Sequence, residues 1–389
     1  MFSDRAIKVL SVSLVLILGV IIFLPVLALV FGSFWSDSPV ALQGHFTLKN
    51  WVKAYTLRIP ATLPTLFLNS LLFAFLVAVI SVGLGVTMAY LVERTDMPYG
   101  QAFEKLSIAP RAFPVLIAAL AWVMLLSPRI GVLNLLFREL LGFTVFNIYS
   151  FPGMVFLMVL YESPIVFLIA LNAFRLMDPS LEEQSIACGN TVLGTLRKVT
   201  LPVLRPLIFS AFMLVFIIGL ITLEVPVIIG VPGGIFVFTT AIFQIIATDY
   251  QSLIYFNTAA ALAMMIIPIS LFMLFLYRQS VKRVEKYVTV TGKARSKNVH
   301  RLGRWRYFAL ASLSLYFFLV MILPTLVIIL ISVSEFTSSP RLELLGHLTL
   351  KHWIQAFNDP VFWRALNNTL VLSFSGATVS LILALALGY

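Results

Sequence analysis

The sequence predicts an all-α, polytopic membrane protein, and three observations carry that prediction. Of 389 residues, 60% are hydrophobic and 11% charged, against roughly 25% charged in ordinary globular chains. Mean hydropathy is +1.02. Charge-free runs cover Val9–Ser36, Ile59–Val92, Tyr250–Tyr277, Tyr307–Ser334 and Ala365–Tyr389, each long enough to span at about 20 residues per crossing. Basic residues gather between the runs. Helices are expected near 8–31, 64–91, 107–128, 150–174, 205–228, 252–278, 306–333 and 365–389. The third is the weakest pattern, because Arg111 and Pro114 sit in its first turns. Leu133–Leu141 reads as a short interfacial helix.

This composition excludes disorder, collagen, a disulfide scaffold and a soluble enzyme. Cys188 is the only cysteine, so no internal disulfide forms. The first apolar stretch is too long for a signal-peptide core and reads as a membrane helix. Placing the N-terminus in the cytoplasm puts 19 of the 27 Lys and Arg inside, ten of them between Arg278 and Arg306, in line with the positive-inside rule. The net charge of +11 is therefore a topology signal set against a lipid bilayer, and nucleic acid is not an expected partner.

The chain repeats itself. Gly44-His45-Phe46-Thr47-Leu48-Lys49-Asn50-Trp51 recurs as Gly346-His347-Leu348-Thr349-Leu350-Lys351-His352-Trp353, Leu24-Pro25 as Leu323-Pro324, and Asn69-Ser70 as Asn368-Thr369. Apolar bias cannot produce a repeated polar loop. The expected organisation is a six-helix unit over 1–300, with a cytoplasmic loop at about 176–204, and the truncated start of a second unit over 301–389. His45 and His347 read as turn or cap residues rather than metal ligands, and no metal is expected.

The loop after the fourth helix reads as helix–Gly–helix. Ser180 and Glu183 have capping-box spacing, Asp178-Pro179 suits a helix entry, Gly189 suits a left-handed C-cap, and Pro202 is expected to end the second short helix. Leu193, Leu196 and Val199 form an apolar stripe. The element is a docking knob for a soluble partner or an ordinary interfacial hairpin. Within the spans, Glu162 and Glu224 are costly charges that either line a substrate path or hold helices together. Pro226, Gly230, Pro232, Gly233 and Gly234 cannot form a continuous helix, and either line a path or gate or form an outer loop.

Glu183, Gly189, Val199, Leu201 and Pro202 fall at the spacings of the loop Glu-Ala-Ala, three residues, Gly, nine residues, Ile-x-Leu-Pro. The stretch thus resembles the EAA loop of permease subunits in binding-protein-dependent ABC importers, with Gln184 and Ser185 in place of the alanines. Tandem units and the stretches Glu224–Pro226, Gly230–Ile235 and Tyr287–Lys293 are similar to the ferric-iron branch; thiamine, phosphonate and polyamine permeases share related stretches. The resemblance implies a bacterial inner-membrane permease that couples through Glu182, Glu183, Ser185, Gly189, Leu193, Leu196 and Pro202 to two cytoplasmic ATP-binding subunits. A periplasmic solute-binding protein would deliver substrate. The chain has no Gly-x-x-x-x-Gly-Lys-Ser/Thr loop, so ATP is expected to be used by the partner, with no cofactor bound here and no enzyme activity in this chain. An ion-coupled transporter using Glu162 or Glu224 is the reading from another class.

Overall fold

The computed structural model describes residues 4–37, 44–56, 61–248, 254–284, 300–334 and 348–388. Tyr287–Lys293, Gly346, His347 and most of the basic Arg278–Arg306 segment lie outside them. The described residues form helices α1 (Asp4–Ser33), α2 (Lys49–Tyr55), α3 (Leu63–Arg94), α4 (Gly100–Leu106), α5 (Ala109–Ala112), α6 (Val115–Leu126), α7 (Val132–Leu141), α8 (Phe151–Leu176) and α9 (Pro179–Ala187). They continue with α10 (Val192–Thr195), α11 (Leu201–Ile221), α12 (Phe238–Thr248), α13 (Ile254–Val284), α14 (Trp305–Phe317), α15 (Leu323–Ser332), α16 (Lys351–Asn358) and α17 (Pro360–Gly388). Among the described residues seven helices are long and apolar enough to cross a membrane, or nine crossings if two bent pairs are each one span.

The centre of the bundle is α8, whose most apolar window is 78% buried, whereas the corresponding window of α17 has no buried residue. Helices α3 and α11 pack on α8, and their side chains form one continuous core that includes Phe73, Val77, Leu157, Met158, Val166 and Val215. Small residues let these helices approach closely, as packing without a hydrophobic driving force in lipid requires. Gly85 of α3 is the tightest such point: a Cβ there would lie 2.6 Å from Cβ of Val166 and 2.8 Å from the Phe167 nitrogen.

Two departures from expectation have a common cause in proline. The third span is not one helix: α4–α5 and α6 meet at 93°. Phe113, preceding Pro114, is extended at φ −95°, ψ 120°, because the proline ring clashes with a helical predecessor. The stretch after α11 is not a plain loop either. A π-turn over Pro226–Gly230, a 3₁₀ turn over Val231–Gly233 and left-handed Gly234 (φ +71°) lead into α12, and the pair is bent by 86°. Helix α12 was missed because its apolar residues follow a glycine- and proline-rich segment that reads as a connection. The short α7 does form, and buried Asn134 ties it down by donating to the carbonyls of Leu126, Ser127 and Phe146 at 3.0, 3.1 and 2.8 Å.

The sequence repeat is also a geometric repeat. Trp35 and Phe46 form an isolated antiparallel bridge, and so do Ser334 and Leu348. Thr47 N–H donates to the Phe34 carbonyl and Thr349 N–H to the Val333 carbonyl, both at 2.7 Å. Each threonine hydroxyl then accepts the N–H two residues on, that of Lys49 or Lys351, at 3.2 and 3.1 Å. His45 belongs to this turn, its N–H donating to Ser36 Oγ at 2.9 Å.

Gly85→Leu should force α3 from α8 at a cost of about 1–3 kcal/mol, read as a lower thermal midpoint and a smaller monodisperse fraction on size exclusion in detergent. Gly83→Leu, on the same helix but with open space around it, should leave both unchanged. Equal behaviour of the two variants would show that the close approach is not a stability determinant.

Candidate functional site

The loop after α8 folds as a helix–Gly–helix element whose two faces differ in character. Asp178 is its N-cap, the carboxylate accepting Ser180 N–H at 3.0 Å. This corrects the expected Ser180–Glu183 capping box. Pro179 takes the first helical position, where its missing N–H costs nothing, so the helix starts two residues earlier and Glu183 lies beyond the first turn. Gly189 adopts φ +87° and reverses the chain, as its lack of a Cβ permits. The second helix then corrects the reading of Pro202. It does not stop there: α10 passes through a π-turn at Leu196–Thr200 directly into α11, and Leu201 N–H donates to the Leu196 carbonyl. The wider turn accommodates a proline that cannot donate to Lys198, so the loop element and the fifth span are one rod.

The inward face is polar and closed. Glu182 is 1% exposed; its Oε1 accepts Thr200 Oγ1–H at 2.7 Å, and its Oε2 lies 2.9 Å from Arg94 Nε. That second contact is a charge contact rather than an aligned hydrogen bond, since neither atom meets bonding geometry. Arg94, at the end of α3, also donates from Nη2 to the Phe174 carbonyl at 2.8 Å. One turn along, Ser185 Oγ and Thr195 Oγ1 are 2.9 Å apart and buried. Arg175 joins α8 to Glu93 of α3 at 3.3 Å and to Glu104 of α4 at 2.7 Å. The outward face carries Glu183, which is exposed, and the exposed apolar side chains of Leu181, Ile186, Val192 and Leu193. Leu196 and Val199 are half-buried, and Pro202 is exposed. Thus Glu182 and Ser185 turn inward, while Glu183, Gly189 and Leu193 face out.

Within the membrane layer Glu162 of α8 is 1% exposed and paired with Arg111 of α5, Nη2 to Oε2 at 2.5 Å and Nη1 to Oε1 at 3.4 Å. The Arg111 cation also sits 5.1 Å from the Tyr161 ring centroid. The neighbouring residues repair what proline breaks. Pro164 removes the hydrogen bond to the Leu160 carbonyl, and the Tyr316 hydroxyl of α14 donates to that oxygen at 2.6 Å. Tyr161 hydroxyl donates to the carbonyl of Phe113, at the break in the third span. Glu224 is not part of this cluster's hydrogen bonding. It is exposed and accepts from Thr222 Oγ1 and Leu223 N–H, both at 3.2 Å. Pro226 is buried, and Gly230 and Gly233 pack against Met154 Sδ and the Tyr149 carbonyl, where a Cβ would come within 2.8 and 2.6 Å.

Thr200 and Thr195 were not singled out from the sequence, Arg94 was counted only as a topology marker, and Arg111 was read as a topology marker and as a weakness in the third span rather than as a partner of Glu162. Arg94 left one clue, the first cation after a charge-free run of span length, directly behind Glu93. Arg111 left another, a charge lodged in an otherwise apolar span.

Glu182→Ala should strand Arg94 in a buried site and cost about 3–5 kcal/mol, whereas Glu183→Ala should stay within about 0.5 kcal/mol; thermal unfolding of the purified chain compares them, and equal losses would refute the inward–outward division. For the membrane pair, Arg111→Met alone should destabilise more than the double change Arg111→Met with Glu162→Met. A double variant worse than the single would mean that the ion pair itself, rather than the avoidance of an unpaired charge, supplies the stability.

Known proteins share this architecture. Over 74% of this chain and 98% of the other, the structure superposes with a TM-score of 0.55 and 17% identity on a chain of a bacterial ABC transporter involved in the import of the acidic polysaccharide alginate. In sequence the chain is 25% identical to a Haemophilus influenzae relative provisionally named as a ferric transport system permease protein, and 24% to the ferric transport system permease protein of Actinobacillus pleuropneumoniae. Both alignments take in all of this chain, which spans 59% and 54% of those relatives' length. A diacetylchitobiose uptake permease of Streptomyces coelicolor is 25% identical over 52% of this chain. Residues 81–286, which hold the helix–Gly–helix element, Arg94, Arg111 and Glu162, match the model of binding-protein-dependent transport system inner membrane components, and the chain belongs to that family.

Proposed function

We propose that this chain is the permease of an ATP-driven importer of ferric iron, that its helix–Gly–helix element receives an ATPase subunit, and that ATP hydrolysis takes place on that partner. The observation that carries the coupling role is the two-faced element. An exposed carboxylate and four exposed apolar side chains sit on a segment locked to the bundle by Glu182, Arg94 and Thr200. A docking surface needs that combination, with anchors that a partner can bury on a support that moves as one body. The continuity of α10 with α11 lets a push on the loop travel along the fifth span. Two ATPases, one per permease unit, and a periplasmic solute-binding protein complete the proposed assembly, with the α9 end in the cytoplasm beside the N-terminus.

Iron as substrate rests on the relatives named for ferric transport, whose alignments extend over the whole chain, whereas the sugar permease aligns over about half. The translocation path is proposed to pass the α5–α6 break and the Pro226–Gly234 turn, where backbone leaves the helix at membrane depth beside packed protein. Glu162 serves in this reading as the strut of that break, because its carboxylate is already engaged by Arg111; this disfavours ion-coupled transport through Glu162. Glu224, exposed beside the turn, is the freer carboxylate for a passing cation.

Co-expression with an ATPase subunit that the parent chain retains tests the coupling role. Leu193→Asp and Glu183→Lys should each lower ATPase retained on an affinity-tagged permease by tenfold or more (about 1.4 kcal/mol per tenfold), with membrane insertion and thermal midpoint unchanged. Full retention in both would remove the docking role. Uptake of radioactive ferric iron against labelled sugars, with the full assembly in vesicles, tests the substrate separately.

A further inference from the structure

A second charged feature lies at the same end of the bundle as α9, outside the proposed docking element itself. Arg301, Arg304 and Arg306 line a cavity of about 440 Å³ at the start of α14, together with Asp96, Gly303 and Tyr307. Among the described residues Asp96 is the one acid in this lining, and it is engaged: its carboxylate accepts Leu302 N–H at 2.7 Å. Arg306 is held in place, donating from Nη2 to the Tyr307 hydroxyl at 2.7 Å with its cation 4.7 Å from that ring. Arg301 and Arg304 are exposed, and among the described residues neither has an ion-pair partner. Gly303 at φ +58° turns the chain so that Arg301 and Arg304 share one cavity.

The depth of the cavity points to its ligand. Helix α14 opens a 28-residue apolar span, Trp305–Ser332. Trp305, Tyr307 and Phe308 at its head are 61%, 58% and 66% exposed. Exposed Trp and Tyr at the head of a span mark the level of the lipid headgroups, and Phe308 is an exposed apolar side chain beside them. A cavity with two surplus positive charges at that level suits an oxyanion, and guanidinium groups pair bidentately with phosphate. We propose that Arg301, Arg304 and Arg306 form a binding site for the phosphate of an anionic phospholipid, whose acyl chains lie along Trp305 and Phe308.

The site is tied to the anchor of α9. His300 N–H donates to the Arg94 carbonyl at 2.9 Å and Asp96 N–H to the His300 carbonyl at 3.1 Å, so the backbone that presents Arg301 is paired with the residue that holds Glu182. A bound lipid therefore braces the base of α9 as well as the start of α14.

The test uses the purified full chain, stripped of lipid in detergent and titrated with phosphatidylglycerol or phosphatidylcholine, with bound lipid counted by native mass spectrometry. Phosphatidylglycerol should be retained in preference. In Arg301→Gln/Arg304→Gln its affinity should fall about fivefold per arginine removed, the equivalent of roughly 1 kcal/mol each. Arg278→Gln/Lys282→Gln, the same change of charge on α13, should bind almost as the parent does, and millimolar inorganic phosphate should not displace the lipid. Equal retention of both lipids, or equal loss in the two double variants, would overturn the site as general surface charge. Displacement by inorganic phosphate would overturn the lipid as its occupant. The single variants Arg301→Gln and Arg304→Gln carry the same comparison should the pair fail to fold.

Discussion

Backbone carbonyls and charges exposed by a broken helix in this bundle are met by partners inside the protein, because hydrocarbon offers none. That constraint explains why the sequence tolerates proline where it does. Pro164 and Pro114 each interrupt a helix in the layer around Glu162, and each interruption has a tyrosine assigned to it: Tyr316 takes the Leu160 carbonyl and Tyr161 the Phe113 carbonyl. Arg111 and Glu162 then neutralise one another across the same layer. The bent third span is therefore held by Tyr161 and Glu162 of α8, with α8 itself supported at Pro164 by Tyr316 of α14, and does not depend on its own ladder of hydrogen bonds. A helix broken in this way is costly to build and well placed to move, since the break concentrates any change of direction at one residue.

The same constraint divides the two neighbouring glutamates of α9. At Glu182 the cost of burying a charge is offset by Arg94 and Thr200, and the helix is thereby pinned to α3 and to the π-turn that leads into α11. Glu183 is one residue away, about 100° around a helix of 3.6 residues per turn, and so remains in water. Adjacent acids thus serve opposite ends: one gives the element a fixed base, the other leaves it a charged outer edge. The π-turn ahead of Pro202 extends that base into the membrane without a flexible joint.

Much of the fold was legible because hydrophobic run length is a direct physical requirement of the bilayer. The expected spans at 64–91, 150–174 and 306–333 lie within three residues of α3, α8 and the α14–α15 span. Gly189 was legible because one backbone conformation demands it. What stayed hidden were features created by tertiary neighbours. The α5–α6 bend needs Tyr161 and Glu162 from a helix some 50 residues on, and Arg94 meets Glu182 across 88 positions. Periodicity along the chain carries no trace of either. The capping box failed for a local reason instead: two caps competed, and Asp178-Pro179 won because the proline pre-sets the first helical residue.

The repeat shows where sequence equivalence stops determining structure. The bridges Trp35–Phe46 and Ser334–Leu348 reproduce one turn at offsets of 299 and 302 residues, since that turn is closed by its own backbone and threonine. The helices feeding into it share sequence but not surroundings. Helix α1 packs along α13, and 6% of its apolar window is buried. Its counterpart, the α14–α15 span, lies across α5, α6 and α8 and donates Tyr316 to the proline break in α8. A local motif carries its own partners and is copied intact. A membrane helix takes its packing from whichever surface it meets, and so one sequence pattern serves two structural positions.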